Sequence, residues 1–399
     1  MTYLPAAIAA LRFHEASTDE LTGISEQAWP RLLHELDTAQ LTLEFGARCR
    51  ESLPFPARAR IDRDAANNVE RYDRVLAACR QIDAALRARG IEYVFLKGIA
   101  QSPDFTAEPR QRPQYDIDLY IPDDSIASAC AAMRAIGYEP AGVTEDPGAD
   151  HLPVMIRKTG WIWREDYFDP EMPPSLELHF RFWNSARSGF DVPGVADFWR
   201  SRTVCRVGDF EFPALNRVHR LTYGALHLLR HLLGGDLKAR HVYEIAYFLE
   251  HSSCDNEFWG HWRTSALPSC TTIEAIAFRL ARDWFHCRLH PIAADAVENL
   301  PAAVQRWFAL FGTPAPAGKN ELWLHLCLVS ELSVQCRVAR RRIFPVRRAR
   351  VVRNPHMPNA GDDVRWRARF LARRALHHVK ALVPTIRGAW VWYTGRRVV

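Results

Sequence analysis

Lysine is scarce in this chain, and its cysteines form no recognisable framework. Only five of the 52 basic residues are lysines, so arginine carries almost all of the positive charge. The nine cysteines lie far apart, without a C-x-x-C pair, and this scatter argues against a disulfide framework or a zinc ribbon. An odd number of isolated thiols is instead typical of a reduced, cytosolic protein.

Long apolar runs, internal repeats and low-complexity segments are also missing. No uncharged apolar stretch approaches the roughly 20 residues that a bilayer span needs. The first residues carry no basic leader ahead of their apolar run, which argues against a secretory signal. We therefore expect a cytoplasmic protein. A hydrophobic content of 48% and a charged content of 25% are typical of folded domains, and 399 residues predict two or three of them.

Positive charge is concentrated near the C-terminal end. Residues 337–399 contain 17 lysines and arginines and two acidic residues, a net charge of +15, whereas the whole chain has +6. The remaining residues therefore carry −9. Aromatic residues are interleaved with these arginines: Trp366, Phe370, Trp390, Trp392 and Tyr393. Such a region could bind nucleic acid, anionic lipid or an acidic protein, or it could be a solvated basic face.

Hydrophobic periodicity divides the chain into four regions. Apolar residues recur at helical spacing over residues 1–88, where one helix is predicted over 29–45 and another from residue 69 to its cap at Gly90. The helical spacing returns over residues 217–336, with one helix predicted over 321–336. The sequence pattern of residues 89–216 is typical of an α/β core, and residues 337–399 form a basic C-terminal extension. The predicted fold class is α/β (α+β), with a small mixed sheet flanked by N-terminal and C-terminal helical regions.

Short runs of β-branched, aromatic and aliphatic residues predict the strands of this core. One helix, ending at Gly137, is expected between the second and third strand. The strand segments are IEYVFL, YDIDLYI, HLPVMIRK, SLELHFRFW and the hairpin TVCRVGDFEFPAL, which turns at Gly208-Asp209.

The second of these strands carries two carboxylates. Asp116 and Asp118 alternate with Ile117 and Leu119, so both acidic side chains project from one face of the strand. Paired negative charge on an apolar strand is costly unless a cation balances it, and Mg²⁺ prefers such oxygen ligands, with Mn²⁺ as the alternative ion. Glu177 can face the same side if its strand is adjacent, which would complete a phosphoryl-transfer site with three carboxylates.

The turn at Lys97-Gly98 fits the same chemistry. Glycine lets the backbone approach phosphate oxygens, and the start of a following helix would offer its N–H groups to them. Because lysine is rare here, a lysine at a strand end suggests a point charge directed at a phosphate.

These motifs resemble a known family. LKG at 96–98, RPQYDIDLYIP at 112–122 and LELHF at 176–180 resemble the uncharacterised nucleotidyltransferase family of the DNA polymerase β superfamily, over about residues 25 to 345. The resemblance implies that Asp116 and Asp118 are metal ligands and that Glu177 is the third carboxylate.

The same resemblance implies that Lys97 and Gly98 face the nucleotide phosphates and that Arg112 helps to position them. The chain departs from the wider superfamily at two points. Gly98-Ile99 stands where Gly-Ser is usual at the phosphate turn, and Glu177 stands where Asp is frequent.

The activity implied is transfer of a nucleoside monophosphate from a nucleoside triphosphate, with ATP expected, to an acceptor hydroxyl with release of pyrophosphate. A small molecule or a peptide is the favoured acceptor, and RNA could be recruited through the basic C-terminal extension. One alternative is a non-catalytic binding module that recruits partners through that extension. Another is a phosphohydrolase that uses the same carboxylates.

Several candidate residues have a structural alternative. Lys97 could pair with a carboxylate, Arg112 could be a solvated loop residue, and Glu177 could be solvated on an edge strand.

Histidines raise the same question. His179 could orient a metal ligand or accept a proton, or it could be a core histidine with a satisfied hydrogen bond. His227 and His231 have the four-residue spacing of zinc ligands on a helix, but no glutamate follows the first, so packing is the preferred interpretation. Glu244 is a candidate for acceptor binding.

Overall fold

A computed structural model of the chain describes residues 2–141, 150–314, 320–343 and 364–395. Most of the predicted basic stretch at 340–361 lies outside the described residues. The α-helices of the described part are α1 (Leu4–Ala10), α2 (Asp19–Thr22), α3 (Trp29–Ala39), α4 (Thr42–Cys49), α5 (Phe55–Arg87), α6 (Ile126–Ala135), α7 (Ser185–Ser188), α8 (Arg217–Gly234), α9 (Ala239–His251), α10 (Asn256–Ser265), α11 (Pro268–Phe285), α12 (Pro291–Glu298), α13 (Ala302–Phe311), α14 (Glu321–Leu328), α15 (Leu332–Ile343) and α16 (Val364–Thr394).

Within the same described ranges, seven strands form one mixed sheet with the order β3-β4-β5-β2-β1-β7-β6. Two neighbouring pairs, β2 with β5 and β1 with β7, are parallel, and the other pairs are antiparallel. The strands are β1 (Val94–Phe95), β2 (Asp116–Tyr120), β3 (Tyr138–Pro140), β4 (Met155–Arg157), β5 (Ser175–His179), β6 (Arg202–Val207) and β7 (Phe210–Leu215). The predicted α/β class is confirmed: helical regions precede and follow the mixed sheet along the sequence.

The sheet separates two hydrophobic clusters. One face, with Ile117 and Leu119 of β2, packs against α5 and α6. The other face, with Leu96 and Tyr120, joins a larger cluster built from the N-terminal helices and from α8 to α14. Because successive strand residues point to opposite faces, the polar residues of β2 must face the larger, helical side.

Several helix boundaries differ from the sequence expectation. The pattern that predicts a helix from residue 69 belongs to α5, which begins at Phe55 and runs for 33 residues. Its first half has no apolar stripe, and the Arg60–Asp64 ion pair at 2.7 Å supports it. The segment expected as one helix over 29–45 divides at Gln40, which has φ of 61°. A second break, at residues 329–331, separates α14 from α15.

The strand predictions fared better. All five predicted strand segments contain strands of the sheet, and β6 and β7 form the expected hairpin, with Val207 opposite Phe210 across the turn. The sequence interpretation missed β3, whose three residues include Pro140 and an exposed Glu139. The predicted boundaries at residues 88, 216 and 336 stay predictions. No described helix has the length and apolarity that crossing a bilayer requires.

A carboxyl group is buried within the larger, helical cluster. Glu274 of α11 is fully buried and accepts hydrogen bonds from Thr222 Oγ1 at 2.7 Å and from Trp262 Nε1 at 3.0 Å. These three side chains join α8, α10 and α11. Burial raises the pKa of Glu274 to about 7, and the two hydrogen bonds only partly oppose this shift.

We expect Glu274→Gln to be more stable than the wild type at high pH. Because the folded pKa lies above the unfolded value of about 4.3, the native protein holds more protons between these values, and its stability falls as pH rises through them. Urea unfolding should show a gain of about 1–3 kcal/mol at about pH 8 and little difference at about pH 5. An equal difference at both pH values would contradict this, and Glu257→Gln, at an exposed position of α10, is the control.

Candidate functional site

The acidic residues of β2 and β5 share one face of the sheet. The two strands are adjacent and parallel, and Asp118 lies directly opposite Glu177 in their register. Ile117 and Leu119 point to the other side, into the cluster with α5 and α6. The condition stated for Glu177, that its strand lies beside β2, is therefore met, and all three carboxylates project toward the helical regions.

Asp118 is the most buried of these carboxylates. Its side chain is 1% exposed, and its Oδ1 atom lies 2.9 Å from Lys97 Nζ and 3.2 Å from His179 Nε2. Burial on its own would raise the pKa of Asp118, but the charge of Lys97 and the hydrogen bond from His179 outweigh it, so the pKa is lowered. Asp118 is thus held as an anion by the charge of Lys97 and by its contact with His179.

His179 bridges the two opposed carboxylates. Its Nε2 atom also lies 3.4 Å from Glu177 Oε2. Burial lowers the pKa of His179, but its hydrogen bonds with Asp118 and Glu177 outweigh this and raise the pKa overall. For Glu177, burial opposes ionisation, yet the His179 contact brings the pKa to about 2. His179 therefore fits both interpretations of the sequence. It is a buried histidine with satisfied hydrogen bonds, and it directly contacts two candidate metal ligands.

The donor set fits a hard divalent cation. One ligand atom each of Asp118, Glu177 and His179 lies within 4.8 Å of the other two. Asp116 lines the adjacent cavity at the start of β2. Carboxylate oxygens are the ligands that Mg²⁺ prefers. Lys97 and His179 balance part of the negative charge of this cluster, a role that a bound divalent ion would share.

Lys97 and Gly98 lie just beyond β1, separated from it by Leu96. Lys97 pairs with Asp118, as expected if its role is to neutralise a carboxylate. It also lines the cavity. Gly98 has φ of 65°, and a Cβ atom on it would lie 2.2 Å from Gln114 Nε2. Gln114 in turn donates to the backbone oxygen of Asp116 at 2.9 Å. The turn is thus packed closely against the segment that leads into β2, and any side chain at residue 98 would have to displace Gln114.

The segment after the turn is shorter than expected. It is a four-residue 3₁₀ turn, Gly98–Gln101, and the Gly98 N–H donates to Gln101 Oε1 at 3.3 Å. The expectation that a helix begins here and offers several N–H groups is therefore corrected, because Gln101 folds back onto the first of them.

Arg112 is part of a buried polar network. Its Nε atom donates to Glu244 Oε1 at 2.8 Å and its Nη2 atom to Gln101 Oε1 at 2.6 Å. The solvated-loop alternative for Arg112 is wrong, since the residue is 6% exposed. Gln101 also donates to Glu244 at 3.1 Å. The network joins the Gly98 turn and the approach to β2 to helix α9, which carries Glu244.

A cavity of about 370 Å³ opens beside the carboxylates. Lys97, Asp116 and Glu177 line it from the sheet. Helices α8 and α9, with Lys238 just before α9, supply mainly basic, histidine and aromatic residues: Arg220, Tyr223, His227, Arg230, His231, Lys238, Arg240 and His241. Loop segments add Arg112, Tyr115, Trp163 and Tyr167. Carboxylates and cations thus line one space, which suits a polyanionic ligand that is held by cations and by carboxylate-bound metal.

Sequence reasoning missed part of this wall. His227 and His231 line the cavity on α8, and His241 joins them from α9. Burial lowers the pKa of His227 and of His241 well below the usual value. The four-residue spacing within α8 is visible in the sequence. Nothing local marks His241, because its proximity depends on how α8 and α9 pack.

Three carboxylates on adjacent strands, a Lys-Gly turn and a cationic cavity together form a site of the nucleotidyltransferase type. The chain belongs to the family described as uncharacterised nucleotidyltransferase, whose model matches residues 25–286. The resemblance inferred from LKG, DID and LELH is therefore confirmed, although the match ends before the helices that follow residue 286. No curated protein and no solved structure matches the chain.

We expect Gly98→Ala to cost more stability than Gly90→Ala. Both glycines have φ near 65°, so each substitution carries the strain of a left-handed alanine, about 1–2 kcal/mol. Only the new Cβ at residue 98 meets a neighbour, whereas nothing lies within 4 Å at residue 90. Displacing Gln114 should add about 1–3 kcal/mol, measured by chemical denaturation.

A Gln114→Ala background provides the control for this comparison. Because the three atoms nearest to the new Cβ all belong to the Gln114 side chain, most of the extra cost of Gly98→Ala should disappear there. Equal costs at Gly98 and Gly90 in the wild-type background would contradict the proposed close packing of the turn.

Proposed function

We propose that the protein is a metal-dependent nucleotidyltransferase. It transfers a nucleoside monophosphate from a nucleoside triphosphate, with ATP as the expected donor, to an acceptor hydroxyl and releases pyrophosphate. The observation that carries this proposal is the placement of Asp116, Asp118 and Glu177 on one sheet face, beside a cavity lined with cations. Family membership supports the same class of reaction.

The carboxylates would hold the metal. Asp116, Asp118 and Glu177 offer the oxygen ligands for Mg²⁺, or for Mn²⁺, which when bound would activate the acceptor hydroxyl and neutralise the leaving pyrophosphate. His179 contacts Asp118 and Glu177 and fixes the orientation of both carboxylates. It acts through them as a positioning residue.

The cationic wall would hold the triphosphate. Lys97 brings its charge to the strand end next to Asp118, and Arg230, Lys238 and Arg240 line the cavity from the helices. Arg112 supports this wall indirectly, because it ties the approach to β2 to Glu244 of α9. Positive groups fixed before the substrate arrives stabilise phosphate charge without having to reorganise during the reaction.

The size of the cavity favours a small acceptor. A volume of about 370 Å³ is within the range of small-molecule sites, roughly 300–1,000 Å³. Because the triphosphate would occupy much of this cavity, the space left beside it suits only a small molecule or a peptide side chain as the acceptor. An RNA acceptor would need a binding surface outside the cavity, for which the basic C-terminal extension is the candidate, and its binding would weaken steeply with salt.

We expect Asp118→Asn to abolish transfer and to leave the fold intact. Removing one carboxylate charge from the metal site should lower the rate about 10³-fold or more, since metal ions supply several kcal/mol of charge stabilisation. The assay is pyrophosphate release with Mg²⁺, each of the four triphosphates and cell extract as a source of acceptor. Circular dichroism and thermal unfolding check the fold.

Asp123→Asn is the matched control, because Asp123 is an exposed carboxylate just beyond β2. Its rate should stay within about twofold of the wild type. Undiminished transfer by Asp118→Asn would refute the proposal. Triphosphate binding without turnover by the wild type would favour a binding module, and release of nucleotide without any acceptor would favour a phosphohydrolase.

A further inference from the structure

Three histidines meet on one wall of the cavity. His227 and His231 lie one turn apart on α8, and His241 lies near the start of α9. The His227 and His231 ring centroids are 4.4 Å apart, and each is 4.8 Å from the centroid of His241. One nitrogen of each ring lies within 4.8 Å of those of the other two.

Hydrogen bonding does not account for this cluster. No hydrogen bond joins the three rings in the part of the chain that the structure describes. The Nδ1 atom of His241 is buried without a hydrogen-bond partner among the described residues, which is costly for a polar atom. Ring nitrogens that lie close together but form no hydrogen bonds with one another indicate a bound ion that accepts their lone pairs.

We propose that His227, His231 and His241 bind a transition-metal ion of the Zn²⁺ class. Three imidazoles are a ligand set of open zinc sites, which keep a further position for water or substrate. Imidazole nitrogen suits Zn²⁺, Ni²⁺ and Co²⁺, whereas the carboxylates of β2 and β5 suit Mg²⁺. The cavity therefore has two metal sites of different chemical preference.

The surroundings of the rings support coordination. His231 Nδ1 lies 3.1 Å from Asp236 Oδ2, so this carboxylate orients the ring and leaves Nε2 for the metal. A histidine ligand whose second nitrogen contacts a carboxylate is the usual arrangement in zinc sites. The chain thus supplies both the ligand and its supporting group.

His227 has a competing contact. Arg230 Nη2 lies 3.3 Å from His227 Nδ1, and because arginine can only donate, this contact occupies the lone pair of that nitrogen. Coordination through Nδ1 would displace the guanidinium from His227, while Arg230 keeps its pair with Asp150 at 2.6 Å. The positive charge of Arg230 and Arg240 opposes a divalent ion, so an ion with strong metal–nitrogen bonds is required.

The open coordination position would face the cavity, since all three rings line it. It could accept water or an anionic oxygen of a ligand in the same space. This inference does not depend on nucleotidyl transfer, because metal binding is measured without a nucleotide or an acceptor.

The test is a Co²⁺ titration of the full-length protein after its metal has been removed with a chelator and the chelator dialysed away. Excess Mg²⁺ is present to occupy the carboxylate site. We expect one equivalent of Co²⁺ to give the visible absorption of a low-coordinate nitrogen site, and Zn²⁺ to displace it. His231→Ala and His241→Ala should each weaken binding about 100-fold or more, and Asp236→Asn about 10–100-fold.

Two controls locate the ion. His261→Ala removes an exposed histidine of α10 and should leave the titration unchanged. Asp118→Asn should also bind one equivalent, because it alters only the carboxylate site. If a histidine variant fails to fold, Asp236→Asn, at an exposed position, still tests the site.

The proposal is overturned if no Co²⁺ binds in excess Mg²⁺, if Asp236→Asn and the folded histidine variants bind as tightly as the wild type, or if Asp118→Asn alone abolishes binding.

Discussion

Asp118 keeps a negative charge on a side chain that is 1% exposed, in the middle of the sheet. An unpaired carboxylate in such a position would cost several kcal/mol. Each neighbouring strand supplies one compensating group, because Lys97 follows β1 and His179 ends β5. The strand order therefore determines the electrostatics of the site, and the carboxylate remains ionised without leaving the sheet.

A separate polar network ties this sheet site to the surrounding helices. The Gly98 turn packs against Gln114, and Arg112 links the approach to β2 with Glu244 of α9. These contacts couple the sheet to α9. Together with α8, this helix presents cations and histidines to the carboxylates around a cavity of about 370 Å³. A site with acidic residues on one wall and basic residues on the other follows from this docking of helices onto the sheet.

The strand residues of the site could be predicted from the sequence, because side-chain alternation is a local property. The two-residue period of a strand is enough to place Asp116 and Asp118 on one face. Glu177 shares that face because β5 lies next to β2. The partner of Lys97 could not be predicted, since a lysine at a strand end can reach either a phosphate or a carboxylate.

Long-range packing was beyond the reach of sequence patterns. His241 joins His227 only through the packing of α9 on α8, and no local spacing encodes that contact. The first half of α5 lacks an apolar stripe, so helical periodicity failed to reveal it. The break at Gln40 depends on one left-handed residue within an otherwise continuous helical pattern.

The most direct test of the central claim is mass spectrometry of the acceptor. The protein is incubated with ATP, Mg²⁺ and the small-molecule and peptide fraction of a cell extract, and pyrophosphate is measured in parallel. The account predicts a product heavier than its acceptor by one nucleotidyl group, which is a nucleoside monophosphate less one water, in equal amount to the pyrophosphate released. Free nucleotide or orthophosphate without a modified acceptor would contradict it.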